Sequence, residues 1–450
     1  MSDTFVLKNV RWTNADPDEC GEGDVYIEKG RIQALGSSPD KKAGIDEYDG
    51  NGLILLPGVI DDQVHFRDFN QSHKATIASE SRAAVVGGVT SYMEMPNTNP
   101  PATNLEMLNR KFDTAAQVSP ANYSFYVGAT NENAEDVLAL AEDTRLAGLK
   151  IFMGSSTGDM LVDEDPALVR FFKEWPRLIA THCEDEESVR QNLKAAQERY
   201  GNDVPIEEHP VIRSTDVCVK SSTKAIELAK KYGTKLHVLH LTTAIEPEFF
   251  KPVIGEDRHI TSEVCVHHLY FCDQDYERLG SRIKCNPAIK SASDRDALWE
   301  ALNADWIDVV ATDHAPHTLD EKLNGDYTTQ PAGLPLIQHP LLLMLSAVHA
   351  GRISLSRMVQ KMCHGPADLY GVKERGYLRE GYWADMVLVD ANATTTVRHE
   401  DCLYHCGWSP LDGETLSGKI HATWVNGKLA YDGEKPILGI RGQELSFRIP

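Results

Sequence analysis

Several short polar clusters in this 450-residue sequence follow apolar runs and carry side chains suited to metal-assisted hydrolysis. Asp61-Asp62-Gln63-Val64-His65-Phe66-Arg67 follows the run at 52–60. Thr181-His182-Cys183-Glu184, His237-Val238-Leu239-His240 and Thr312-Asp313-His314-Ala315-Pro316-His317 close three others. Imidazole nitrogens and carboxylate oxygens are the ligands that a catalytic zinc takes. One such histidine would mean little, but His65, His182, His240 and Asp313 recur in the same relation to successive runs and make a ligand set. Lys150, inside Gly148-Leu149-Lys150-Ile151-Phe152, extends it. An ammonium repels a dication, yet a lysine within an apolar run is driven toward its neutral amine. That amine can add carbon dioxide to become an anionic carbamate able to bridge two metals. His237, His267, His268 and His314 are expected to support the strands rather than to bind.

These side chains meet only if the runs are neighbouring parallel strands. Apolar runs at 52–60, 89–95, 123–128, 148–152, 178–181, 235–239, 259–266 and 306–311 have helical stretches between most of them, as at 186–200 and 214–232. Eight strand–helix units close a (β/α)8 barrel, whose active site lies on the loops at the strands' carboxyl ends. The flanks read differently. Segments 5–12, 24–28 and 31–35 at the start, and 384–390 and 422–431 at the end, are short strands, the last with an Asn426-Gly427 hairpin turn. Neither flank can bury a sheet alone. The expected fold is α/β, with a TIM-type barrel over 56–377 and a small composite β-sandwich from 1–55 and 378–450.

Lys plus Arg number 45 against 67 Asp plus Glu, a net charge of -22, with 42% hydrophobic and 25% charged residues. This is a globular composition. The acidic surplus, without basic runs, argues against nucleic acid or an anionic membrane surface as partner. No stretch reaches the roughly 20 apolar residues of a membrane span, and residues 1–11 lack a basic and then apolar leader. Nine cysteines without a CxxC pair fit reduced thiols, so a cytoplasmic protein is expected.

The motifs Leu56-Pro57-Gly58-Val59-Ile60-Asp61, His65-Phe66-Arg67, Gly87-Gly88-Val89-Thr90-Ser91, Met95-Pro96-Asn97-Thr98, Asp313-His314-Ala315-Pro316-His317 and the stretch 376–385 are spread over nearly the whole chain. Together they resemble the amidohydrolase superfamily, and within its cyclic amidohydrolases the long, barrel-plus-sandwich dihydroorotases. The resemblance implies reversible, metal-dependent interconversion of N-carbamoyl-L-aspartate and L-dihydroorotate in pyrimidine synthesis. It implies zinc on His65, N6-carboxylated Lys150, His182, His240 and Asp313, and a metal-held water of lowered pKa. Asp313 would take that water's proton and pass it to the leaving nitrogen. Arg67 would grip the substrate carboxylate bidentately, assisted by Asn97 and His317. Asn286 matches a further substrate-contacting position, although Ala288-Ile289-Lys290 depart from the commoner Pro-Leu-Arg. The stretch 318–335 would be a lid, with the backbone of Ala332 and Gly333 touching the ring. The partner implied is a small anionic substrate, and members of the family commonly form homo-oligomers.

One position departs from the family pattern. Dihydroorotases read Asp-x-His-x-His at the first strand, with both histidines on one metal, and Gln63 stands where the first would be. An amide oxygen is a poorer zinc ligand than imidazole, so one firmly bound metal is expected and a second that is weaker or absent. Two other readings stay open. One is a hydantoinase or allantoinase, whose substrates lack the carboxylate. The other is an inactive dihydroorotase-like scaffold for a transcarbamoylase, which ligand loss at Gln63 would fit.

Overall fold

The computed structural model describes residues 3–36, 45–154, 160–162, 164–253 and 258–449. Eight strands follow one another around a parallel barrel: β1 Val59–Val64, β2 Val89–Glu94, β3 Asn122–Gly128, β4 Leu146–Phe152, β5 Ile179–His182, β6 Leu236–Val238, β7 Ile260–Cys265 and β8 Val309–Ala311. The circle closes where the His65 N–H donates to the His314 carbonyl at 2.7 Å, beside a Val64–His314 bridge. Nearly every strand residue is buried, because the barrel interior covers one face and helices the other. This is why the strands read as continuous apolar runs rather than alternating ones. The helix Glu186–Tyr200 is capped by Asp185, whose side chain accepts the Ser188 N–H, and it buries Val189 and Ala196. The helix Thr215–Tyr232 begins after Ser214 and stops at Gly233.

The run at 52–60, expected to be one barrel strand, is two strands in different sheets. Ile54–Pro57 pairs antiparallel with Met386–Thr396, Leu56 opposite Val387, and β1 starts at Val59. The crossing is at Gly58. Its N–H donates to the Asp385 carbonyl at 2.8 Å, and a Cβ there would come within 2.1 Å of Thr90 Oγ1. The second sheet joins both ends of the chain, as expected. Its order is Lys428–Tyr431, Thr415–Val425, Met386–Thr396, Ile54–Pro57, Phe5–Trp12, Gly21–Glu28 and Arg31–Leu35, with Asp46–Asp49 also paired to Phe5–Trp12. Phe5, Leu7, Leu55, Met386 and Trp424 lie in its core. Buried Asp385 ties it to the barrel. Its carboxylate accepts from the Asn122 amide of β3 at 3.1 Å and from the Asn426 N–H at 2.7 Å, and pairs with Arg375. Among the described residues no helix is long and apolar enough to cross a membrane, and the nine cysteines are unpaired.

Candidate active site

A cavity of about 280 Å³ at the carboxyl ends of the barrel strands is lined by every residue singled out above: His65, Arg67, Asn97, Lys150, His182, His240, Asn286, Asp313, His317, Ala332 and Gly333. Three of them hold left-handed backbone just beyond their strands: Arg67 (φ +64°), His240 (φ +41°) and Asp313 (φ +46°). Side chains with a Cβ rarely adopt this conformation, and where they do the surrounding structure must hold it, a condition that concentrates at functional sites.

Two pairs of ligand-type atoms converge in the cavity. His182 Nδ1 and His240 Nε2 are 2.9 Å apart. The other His182 nitrogen lies 2.9 Å from Glu184, which Arg213 contacts at 2.5 Å. Burial would raise the Glu184 carboxyl, but Arg213 and His182 bring it down to about 2. An ionised Glu184 takes the Nε2–H and leaves Nδ1 as the lone-pair nitrogen, the usual support for a ligating histidine. In the same cavity, His65 Nε2 is 3.1 Å from Asp313 Oδ1, and His65 Nδ1 is 2.6 Å from Asn97 Oδ1. Burial lowers the His65 pKa and favours the neutral ring. Donation of Nδ1–H to Asn97 then points the Nε2 lone pair at Asp313, an arrangement that a cation or proton between them would relieve. Burial pushes Asp313 up, but contact with His65 more than offsets this and its carboxylate is favoured.

Lys150 is buried and, among the described residues, its amine makes no hydrogen bond or ion pair, sitting 4.5 Å from the Phe152 ring centroid. Burial lowers its pKa to about 7. Gln63 donates its amide N–H to Asp313 Oδ1 at 3.2 Å, and its Oε1 accepts from the Cys265 thiol at 3.7 Å. The amide therefore turns a donor, not its oxygen, toward the His65–Asp313 pair.

The same cavity also carries cationic side chains. Arg67 is buried, with its pKa lowered to about 10 by desolvation, so it stays charged at neutral pH. One of its terminal nitrogens is 3.1 Å from His317 Nε2, and Lys74 Nζ is 3.0 Å from His317 Nδ1. Burial and the adjacent Arg67 hold the His317 pKa well below its usual value. Neutral His317 has one N–H for two nitrogens that each face a cation, Nδ1 toward Lys74 and Nε2 toward Arg67, with the Ala332 carbonyl 3.1 Å from Nε2. The positive charge comes from Arg67 and from Lys74, the latter already paired with Glu321 at 3.2 Å. Lys74, Gln71 and Phe152 also line the cavity and were missed in the sequence.

Within 318–335, Thr318 and Glu321 form a capping box on the short helix Leu319–Leu323. The buried Lys322 amine donates to the carbonyls of Lys284, Pro331 and Gly333 at 2.9–3.0 Å. Gly333 has φ +138°, and a Cβ there would come within 2.3 Å of the Ala315 carbonyl. Only glycine brings this backbone to the cavity wall. His314 is a support, as expected: its Nε2 faces Glu80 at 2.7 Å and its Nδ1 accepts the Leu336 N–H at 2.9 Å.

A model of the amidohydrolase family matches residues 54–430. The dihydroorotase of Pyrococcus horikoshii is 32% identical over 432 residues, covering 94% of this chain and 92% of that protein. The L-hydantoinase of Paenarthrobacter aurescens is 28% identical, covering 94% and 93%. The solved L-hydantoinase (dihydropyrimidinase) from Arthrobacter aurescens has a TM-score of 0.93 at 27% identity, covering 98% of this chain and 99% of its own. The chain belongs to the amidohydrolase family and is a hydrolase of cyclic amides.

Proposed function

We propose that this enzyme is a metal-dependent dihydroorotase, interconverting N-carbamoyl-L-aspartate and L-dihydroorotate. The observation that carries this reading is that Arg67 and Lys74 line the same cavity as His65, Lys150, His182, His240 and Asp313. A ring that bears a carboxylate needs fixed cations beside the hydrolytic residues, whereas hydantoin and allantoin do not. The archaeal dihydroorotase relative supports it. The L-hydantoinase likeness favours a hydantoin ring as the second reading.

The donor set fits divalent metal. Two imidazole nitrogens meet at 2.9 Å, an imidazole nitrogen and a carboxylate oxygen meet at 3.1 Å, and a buried amine without a direct ion pair has the chemistry for carboxylation. His182, His240 and carboxylated Lys150 would hold zinc firmly. His65 and Asp313 would hold a second ion weakly, because Gln63 offers them no oxygen. Bound zinc supplies a Lewis acid and lowers the pKa of water toward neutrality.

Arg67 and Lys74 fix the substrate carboxylate and so the ring's orientation, with Asn97, Asn286 and the backbone of Ala332 and Gly333 on the surrounding wall. In hydrolysis Asp313 takes the proton of the attacking water and returns it to the ring nitrogen as the amide bond breaks. Cyclisation runs the same transfers in reverse. Asn97 orients His65 and Glu184 orients His182. The stretch 318–335 acts as the lid that excludes water. Nine unpaired cysteines support a reducing, cytoplasmic location.

Dihydrouracil, the same ring without the carboxylate, tests the reading. Dihydroorotate should be turned over and dihydrouracil should not. Arg67→Met should lower kcat/KM for dihydroorotate about 100-fold, from loss of roughly 3 kcal/mol of charge-assisted bonding. Equal turnover of both rings would overturn the assignment.

A further inference from the structure

Beside the cavity, Cys265 ends β7, and His267 and His268 lie in the short helix Val266–Tyr270 that follows. The Cys265 sulfur and one ring nitrogen of each histidine all lie within 4.8 Å of one another, and all three residues are buried. The two rings are tilted, with centroids 4.1 Å apart. Neither ring nitrogen of His267 has a hydrogen-bond partner of normal geometry, nor does His268 Nδ1. His268 Nε2 donates to the Pro287 carbonyl at 3.1 Å, which leaves Nδ1 as the lone-pair nitrogen. A buried imidazole serving only as packing would be expected to find partners, and here three of four ring nitrogens make no hydrogen bond of normal geometry, with the Thr312 backbone near His267. The other compact triad, Asp62, His237 and Glu263, leaves both Asp62 oxygens without a hydrogen-bond partner, but its imidazole is satisfied. His237 there reaches Thr261 at 2.9 Å and Glu263 at 3.3 Å.

We propose that Cys265, His267 and His268 form a further binding site for a soft divalent metal ion such as zinc, with the Gln63 carbonyl as fourth ligand. Gln63 Oε1 lies 3.7 Å from Cys265 Sγ. With metal–sulfur near 2.3 Å and metal–oxygen near 2.0–2.2 Å, a tetrahedral edge is about 3.5 Å, so both atoms can serve one ion with little movement. Thiolate and imidazole select zinc, cadmium or cobalt over magnesium and calcium. Binding releases the thiol proton of Cys265 to solvent and leaves both imidazoles neutral. Zn²⁺ with one thiolate then carries a single net positive charge, within electrostatic reach of the Asp313 carboxylate. Gln63 thus serves this site with the oxygen it withholds from the cavity. The site does not depend on which cyclic amide the enzyme hydrolyses.

Zinc-edge X-ray absorption of the zinc-loaded, full-length protein tests it, because the ligands proposed in the cavity contain no sulfur. A sulfur scatterer near 2.3 Å is expected in the unaltered protein and in His182→Ala, where the cavity ligands are broken. It should disappear in Cys265→Ser together with one equivalent of zinc. Should Cys265→Ser not fold, cobalt titration of the unaltered protein should give a thiolate-to-metal charge-transfer band. A purely nitrogen and oxygen shell in the unaltered protein and in His182→Ala, an unchanged shell in Cys265→Ser, or absence of the cobalt band would overturn the site. Dihydroorotate turnover without sulfur ligation would sink this site alone, whereas sulfur ligation without turnover would sink only the dihydroorotase reading.

Discussion

Gln63 Nε2 lies 3.2 Å from Asp313 Oδ1, the same oxygen that faces His65 Nε2 at 3.1 Å. An amide donor therefore occupies a side of Asp313 where an imidazole would help to hold a metal. In the Cys265→Ser background, which removes zinc bound through the thiol, dialysed protein should keep about one zinc per chain. Adding Gln63→His should raise that to about two, since imidazole is the stronger ligand. Metal analysis that finds two retained zinc ions with Gln63 in place would contradict the role given to this residue.

In the proposed reading Lys74 binds the substrate carboxylate and not the reacting bond, so its loss should be felt as uniform binding. Lys74→Met should raise KM for dihydroorotate about tenfold and leave kcat within a factor of about two, measured by steady-state kinetics. A large fall in kcat at unchanged KM would place Lys74 in the chemistry instead.

The barrel was legible because strands buried on both faces leave continuous apolar runs, and the histidines and carboxylate at their ends differ sharply from those runs. The boundary at Gly58 was not. Apolarity continues from Ile54 to Ile60 across the change of sheet, and hydrophobicity does not say which partner a strand takes. Lys74 escaped notice for a related reason. Three consecutive left-handed residues, Arg67, Asp68 and Phe69, set the path of its loop, and neither residue type nor period announces them. Cys265, His267 and His268 each read as ordinary core residues, and only their shared placement with unpartnered nitrogens makes them a cluster.

Lys111, on the helix Leu105–Val118, pairs with Glu94 of β2 at 3.0 Å, both side chains fully buried, and also donates to the Met95 carbonyl at 3.0 Å. Lys111→Met leaves Glu94 without its partner and should cost about 3–5 kcal/mol in urea unfolding. Lys111→Met with Glu94→Leu should recover most of that loss. A single variant as stable as the parent would show that the pair contributes nothing to holding the helix on the barrel.

Burial depresses the pKa of His339 to about 4, while its Nδ1 accepts the Tyr404 hydroxyl at 3.0 Å. The unfolded chain takes up this proton near pH 6.5 and the folded one only near 4, so stability is intact above 6.5 and falls as pH drops through that window. The loss is on the order of 3 kcal/mol. His339→Asn should flatten the fall between pH 6.5 and 4, read from urea midpoints. Parallel curves for parent and variant would contradict the assignment.

The most direct measurement is kcat/KM of the purified, zinc-supplemented protein for dihydroorotate beside hydantoin and allantoin under identical conditions. Dihydroorotate should be preferred by at least about 100-fold, the discrimination expected when a buried cationic pocket is left without its anion. Turnover of hydantoin or allantoin in preference, or no turnover of any ring with zinc present, would contradict it.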